Sequence, residues 1–190
     1  THAIATPDGI KQEANKRAQD ILIIQNWAEQ KGYGKPANND SDNYNLETLR
    51  QLALNGDESL IRKVGRIYLR ENDLPGAEKF YQEAAVRGSI RALSGLASML
   101  DTWIYTQEVD LTKKKEIAME ILALNEVEGI RGESSATSVF KIANLTKFKQ
   151  DNIHFTDVDR AFINERAQKI YDELQKKRND LGLGLFDNSV

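Results

Sequence analysis

The stretch ESLIRKVGRIYLRENDLPGAEKFYQEAAVRGSIR at residues 58–91 decides the fold of this chain, because it has the pattern of two helices joined by a turn. Apolar residues recur every three or four positions on both sides of the turn, which places them on one face of each helix. Gly65 and Ala77 are small enough to let two antiparallel helices approach closely, and Tyr68 and Tyr81 fill the space beside them. The stretch therefore predicts a tightly packed helical hairpin.

The spacing within this hairpin resembles one repeat of the tetratricopeptide family. That family carries L-G-x2-Y in its first helix and A-x3-F in its second. Here residues 64–68 supply V-G-x2-Y and residues 77–81 supply A-x3-Y, with Ile61 where the family usually has tryptophan. The run A-A-x2-G at residues 84–88 is similar to the Sel-one-like branch, which carries an alanine pair before a glycine. The resemblance implies an α-solenoid of antiparallel helix pairs that holds another protein.

Weaker copies of the pattern flank the hairpin. The positions 32 residues before Ala77, Tyr81, Ala84 and Gly88 hold Asn45, Leu49, Leu52 and Gly56. The positions 41 residues after them hold Ala118, Leu122, Asn125 and Gly129. Residues 167–173 repeat the A-x-K-x-Y-x-E of residues 77–83. Because one hairpin cannot bury its own apolar face, about three or more repeats are expected. A generic helical bundle with shared alanine and glycine positions is the alternative.

Composition favours an all-α protein, and the apolar patterns and turn residues along the chain predict about eight helices. The 190 residues include only three prolines, and valine is scarce beside alanine, leucine, glutamate, lysine and arginine. A net charge of −3 gives no basic footprint for nucleic acid. No apolar run approaches the roughly 20 residues of a membrane span. The absence of cysteine excludes disulfides, thiol catalysis and thiolate metal sites.

Turn-forming residues divide the chain into four parts. We expect an N-terminal helix at 1–34, a linker at 35–45, a helical-repeat domain at 46–180 and a flexible tail at 181–190. The segment 106–112 is longer than the turn of the central hairpin, so the register of the third hairpin departs from the pattern. Whether the N-terminal helix caps the repeats or projects from them stays open.

The start of the chain and the resemblance together bear on location. The chain begins at Thr1, which fits either a mature form after signal removal or a trimmed chain. Repeat arrays of this type are common in bacterial envelope and secretion machinery. The resemblance therefore favours an exported, periplasmic protein over a cytoplasmic one, and the compartment stays open.

One charged stripe is the main candidate for partner binding. Arg62, Arg66 and Arg70 stand at every fourth position of the first helix, and Arg91 extends the set. The resemblance implies that first helices line a concave surface, where arginines grip carboxylates of an acidic protein or peptide. The alternative is a solvated face whose charge nearby glutamates offset.

Two further clusters are candidates for a functional site, and each has an alternative structural interpretation. Trp103 and Tyr105 are large aromatics with polar tips, suited either to an interface or to filling the core. His154 precedes Asp157 and Asp159, an arrangement that imitates a metal site but that we interpret as a loop leading into a helix cap.

The function predicted from the sequence is that of a non-enzymatic scaffold or adaptor for another protein. No metal or other cofactor and no catalytic residue is predicted, since the chain lacks an H-x-x-x-H pair, a phosphate-binding loop and a G-x-S-x-G elbow. One alternative is a structural subunit that assembles with copies of itself into a homo-oligomer. The other is a small-ligand receptor or enzyme whose site is built from scattered polar residues.

Overall fold

The computed structural model describes residues 15–16, 19, 43–132 and 134–187, without the side chains of residues 134–140. Most of the predicted N-terminal helix and linker lies outside these residues. The described helices are α1 Leu46–Leu54, α2 Ile61–Arg70, α3 Leu74–Val86, α4 Ile90–Thr106, α5 Leu111–Arg131, α6 Ser134–Gln150 and α7 Asp157–Asp180. A short 3-10 turn, Glu58–Leu60, precedes α2, and no strand occurs among the described residues. The all-α prediction is confirmed for this part of the chain.

The central hairpin forms where the sequence predicts it. Asn72, in the turn, takes a left-handed backbone conformation with φ of 57°. The Asp73 carboxylate then caps α3 by accepting a hydrogen bond from the Gly76 N–H at 2.9 Å. Pro75 lies in the first turn of α3, where its missing N–H is harmless. These local signals reverse the chain and set α3 against α2.

The chain reversals after α1 and α3 are alike. Gly56 and Gly88 both follow a helix and have φ of 112° and 114°, a conformation that favours glycine. The 32-residue copy of the pattern therefore reproduces the same helix end. The 41-residue copy does not, because Gly129 lies inside α5, which runs on to Arg131. The match of Gly129 to Gly88 therefore does not extend to a helix end, and α5 reaches 21 residues.

In the second half of the molecule, α4 runs parallel to α6 and α5 runs parallel to α7. Asp101 of α4 pairs with Lys147 of α6 at 2.7 Å, and the next contact along both helices joins Tyr105 to Asp151. Both pairs are separated by 46 positions, so α4 and α6 are parallel. Contacts of α5 with α7 advance in the same way, from Lys115–Asp159 to Glu120–Arg166. Arg50 of α1 likewise pairs with Glu83 of α3.

Helix α5 lies at the centre of the second half of the molecule. Helices α4, α6 and α7 all pack against it, and α7 also contacts α3. At that contact Arg178 donates a hydrogen bond to the Val86 carbonyl at 3.0 Å. This contact joins two helices that are far apart in sequence, and it lies near the C-terminal end of the 24-residue α7.

The segment after α7 folds back onto the helices. Phe186 is only 7% exposed, and its ring lies 4.0 Å from the Arg131 guanidinium and 4.9 Å from that of Arg178. Its N–H donates to the Gln175 side-chain oxygen at 3.0 Å. The prediction of a flexible tail at 181–190 does not anticipate this packing of residues up to Asp187.

No helix in the described part of the chain combines the length and apolar character needed to cross a bilayer.

Candidate functional site

The arginine stripe predicted from the sequence lies at the surface of α2. Arg62, Arg66 and Arg70 are all exposed, while Ile61 and Val64 on the opposite side of the helix are fully buried. None of the three arginines forms an ion pair or hydrogen bond with another described residue. Their guanidinium groups therefore offer their donors to solvent.

Beside this stripe, the Tyr81 side chain of α3 lies between α2 and α4. A Cβ atom added to Gly65 would lie 1.9 Å from the Tyr81 hydroxyl oxygen, and one added to Gly95 would lie 2.4 Å from Tyr81 Cε1. Only glycine leaves room for the ring at these two positions. The Tyr81 side chain thus reaches from the core toward the side of α2 that carries the stripe.

The charges nearest the Tyr81 phenol belong to the stripe. Burial raises the pKa of Tyr81 above its ordinary value, and the positive charges of Arg62 and Arg66 act in the opposite direction. The Tyr81 hydroxyl has no hydrogen-bond partner among the described residues. On α4, Ser98 lies one turn beyond Gly95 and is exposed. We call this set the α2–α4 surface: Arg62, Gly65, Arg66, Arg70, Tyr81, Gly95 and Ser98.

Arg91, predicted to extend the stripe, has a different environment. It is half-buried at the start of α4, and its charge acts on Glu58. Burial raises the pKa of Glu58, while a hydrogen bond from the Ser89 hydroxyl at 2.8 Å and the charges of Arg91 and Arg131 oppose that shift. Arg91 therefore belongs to a part-buried charged cluster rather than to the exposed stripe.

A buried carboxyl group escaped the sequence analysis. Glu128 of α5 is 2% exposed and accepts a hydrogen bond from the Ser94 hydroxyl of α4 at 3.1 Å. Burial raises the pKa of Glu128 to about 8. One turn earlier, the buried Asn125 Nδ2 has no partner among the described residues. The available signal was that two polar residues stand on the apolar face of α5.

Trp103 and Tyr105 do not form one surface. They are 38% and 49% exposed, but residues two apart on a helix point about 200° away from each other. Tyr105 donates a hydrogen bond to Asp151, and the Lys147 ammonium lies 4.5 Å from its ring centroid. Tyr105 therefore helps to join α4 to α6, whereas Trp103 is exposed elsewhere on α4.

The loop after α6 forms a helix cap. The Thr156 hydroxyl accepts from the Asp159 N–H at 3.2 Å, and the Asp159 carboxylate accepts from the Thr156 N–H at 2.8 Å. Lys115, 2.7 Å from that carboxylate, is the main reason that the pKa of Asp159 falls to about 2. The cap interpretation is confirmed, with Thr156 as the capping residue. Among the described residues, no three acidic or histidine side chains are grouped as a metal site would require.

Comparison with known proteins identifies no relative. No family model matches the chain, and neither a curated protein nor a solved structure matches it significantly. The resemblance to tetratricopeptide and Sel-one-like repeats therefore depends on the residues of the central hairpin.

Proposed function

We propose that this chain is a non-enzymatic adaptor with tetratricopeptide-like helix pairs, and that it binds an acidic segment of another protein on the α2–α4 surface. The observation that carries the proposal is the state of Arg62, Arg66 and Arg70. All three are exposed on one face of α2 without an ion pair among the described residues. Guanidinium groups bind carboxylates with paired, directional hydrogen bonds, so such a stripe is suited to an acidic partner.

The direction of the helices supports the repeat architecture within this proposal. Successive first helices α4 and α6 are parallel, and so are the second helices α5 and α7. The reversals at Gly56 and Gly88 have nearly the same backbone conformation. Tandem helical hairpins produce both features, since each pair repeats the orientation of the one before.

The other arginines near the core support the choice of surface. Arg166 makes three hydrogen bonds of 2.9–3.2 Å to the Glu120 carboxylate. Arg131 donates to the Gly88 carbonyl at 2.9 Å, and Arg178 donates to the Val86 carbonyl at 3.0 Å. These side chains are already occupied within the fold. Among the described arginines, an external carboxylate can therefore reach those of α2 without breaking an internal contact.

A charge-reversal experiment tests the proposal. We expect the triple variant Arg62→Glu, Arg66→Glu and Arg70→Glu to bind fluorescein-labelled octaglutamate at least about tenfold more weakly than the native chain in fluorescence anisotropy at low salt. The matched control reverses the exposed Lys169, Lys176 and Lys177 of α7 to glutamate, which changes the net charge by the same amount.

The lysine control distinguishes binding at the α2–α4 surface from a general electrostatic attraction between the chain and octaglutamate. If both triple variants lose binding equally, only net charge matters and the α2–α4 surface is not the site. A native chain that does not bind octaglutamate at all contradicts the proposal. Size measurement of the native chain in solution adds a check, because an apolar self-association unaffected by the arginine reversals favours a structural subunit.

A further inference from the structure

The spacing of the arginines carries information about the partner beyond its charge, and this inference rests on the proposed function. Arg62, Arg66 and Arg70 stand four residues apart, so successive guanidinium groups are offset by about 6 Å along α2. In an extended peptide, every second side chain points the same way, with a repeat of about 6.6–6.8 Å. The two repeats nearly coincide over the three arginines.

The Tyr81 hydroxyl adds a neutral donor to this row. It reaches the level of Gly65, which lies between Arg62 and Arg66 in sequence. The Tyr81 hydroxyl has no hydrogen-bond partner among the described residues, and it is not one of the fully buried polar atoms, so it is open to solvent and to a ligand. A ligand oxygen bound between Arg62 and Arg66 would supply that acceptor.

We infer that the α2–α4 surface binds an extended segment with carboxylate side chains at every second position, and that the Tyr81 hydroxyl donates a hydrogen bond to the carboxylate held between Arg62 and Arg66. In a segment with contiguous acidic residues, alternate carboxylates point away from α2. Such a segment leaves at least one arginine without a partner, although it carries the same charge.

Peptides of equal composition test the spacing. Fluorescein-labelled GEGEGEG and GGEEEGG both carry three glutamates, and fluorescence anisotropy with the full chain at low salt gives their Kd values. We expect GEGEGEG to bind about tenfold more tightly, because it engages one more guanidinium group. Equal or tighter binding of GGEEEGG overturns the inference. So does tighter binding of a helical peptide with glutamate at every fourth position.

The role of the Tyr81 hydroxyl in binding is tested by Tyr81→Phe, which removes the phenolic oxygen and keeps the ring. We expect Tyr81→Phe to weaken GEGEGEG binding about fivefold, the usual effect of one lost hydrogen bond. The control Tyr68→Phe removes the same atom from the same hairpin, on the side of α2 that faces away from Arg66, and should leave the Kd unchanged. Thermal melting of both variants verifies the fold. Unchanged binding by folded Tyr81→Phe overturns the role of Tyr81.

The two proposals fail in different ways. If the arginine reversals abolish binding but GEGEGEG and GGEEEGG bind alike, the adaptor proposal stands and the spacing inference fails. If the reversals leave binding intact, the adaptor proposal fails first. Backbone amide shifts of Gly65 and Gly95 on addition of GEGEGEG locate the bound peptide independently of affinity, and shifts confined to α7 contradict both proposals.

Discussion

The arginines of α2 and three arginines of α5 and α7 are the same residue type on the same kind of element, yet their surroundings are opposite. Those of α2 are exposed on one face without an internal ion pair among the described residues. Arg131, Arg166 and Arg178 each donate to carbonyl or carboxylate oxygens of a neighbouring element. The comparison teaches that an arginine's internal partners decide its role. Arginines with occupied donors join helices, and arginines with open donors are available to a ligand.

The largest effect on stability is expected for a change at Phe186, which packs against Arg131 and Arg178. Phe186→Ala removes a 7%-exposed ring that lies against both Arg131 and Arg178. We expect the free energy of unfolding to fall by roughly 3–5 kcal/mol, as for other buried phenylalanines. Urea unfolding followed by circular dichroism measures the change. Leu185→Ala is the control, since that side chain is 78% exposed and should change stability by less than about 0.5 kcal/mol.

At the other side of the comparison, Gly65→Ala tests the packing beneath the α2 stripe. Alanine normally stabilises a helix interior by about 0.5–1 kcal/mol relative to glycine. Here its Cβ would lie 1.9 Å from the Tyr81 hydroxyl oxygen, so we expect a net loss of roughly 1–3 kcal/mol. In a Tyr81→Leu background the loss should shrink, which a double-mutant cycle measures. An equal loss in both backgrounds would place the strain elsewhere.

Unlike the exposed arginines of α2, the buried Glu128 is expected to make the free energy of unfolding depend on pH. Because burial raises the pKa of Glu128 to about 8, the native state keeps a proton that the unfolded chain releases near 4.5. The stability contributed by this group is therefore complete below about pH 4.5 and is lost as the pH rises toward 8. Glu128→Gln stays neutral throughout. We expect it to match the native chain at pH 4.5 and to be roughly 1–3 kcal/mol more stable at pH 9.

Urea unfolding at both pH values checks this contrast. Glu116→Gln is a suitable control, because Glu116 lies on the exposed face of the same helix and its ion pair among the described residues is with the exposed Lys113. A stability difference between Glu128→Gln and the native chain that is constant with pH contradicts the buried-acid account.

The sequence was most informative where small residues set the packing. The central hairpin was predicted from Gly65, Ala77 and Tyr81. The two small residues allow a close helix pair, and the tyrosine ring fills the space beside them. The exposed stripe followed from the same periodicity, since residues opposite a buried face point outward. The chain reversal at Gly56 was also visible from its match to Gly88.

The second half was less predictable because its contacts join residues far apart in sequence. Gly129 matched the position of a helix-ending glycine, but α5 continues to Arg131 because it packs against helices on several sides. Phe186 follows two glycines in a segment with the composition of a tail, and only the approach of Arg131 and Arg178 buries it. Arg91 was grouped with the stripe, yet its position near Glu58 depends on how α4 begins.

The central claim concerns unpaired and paired arginines, and it is tested most directly by titrating labelled octaglutamate into Arg66→Ala and Arg178→Ala side by side. The account predicts that Arg66→Ala keeps the native melting temperature but binds several-fold more weakly. It predicts that Arg178→Ala melts several degrees lower, having lost its bond to the Val86 carbonyl, but binds like the native chain below its transition. Weaker binding by Arg178→Ala together with native binding by Arg66→Ala would contradict the account.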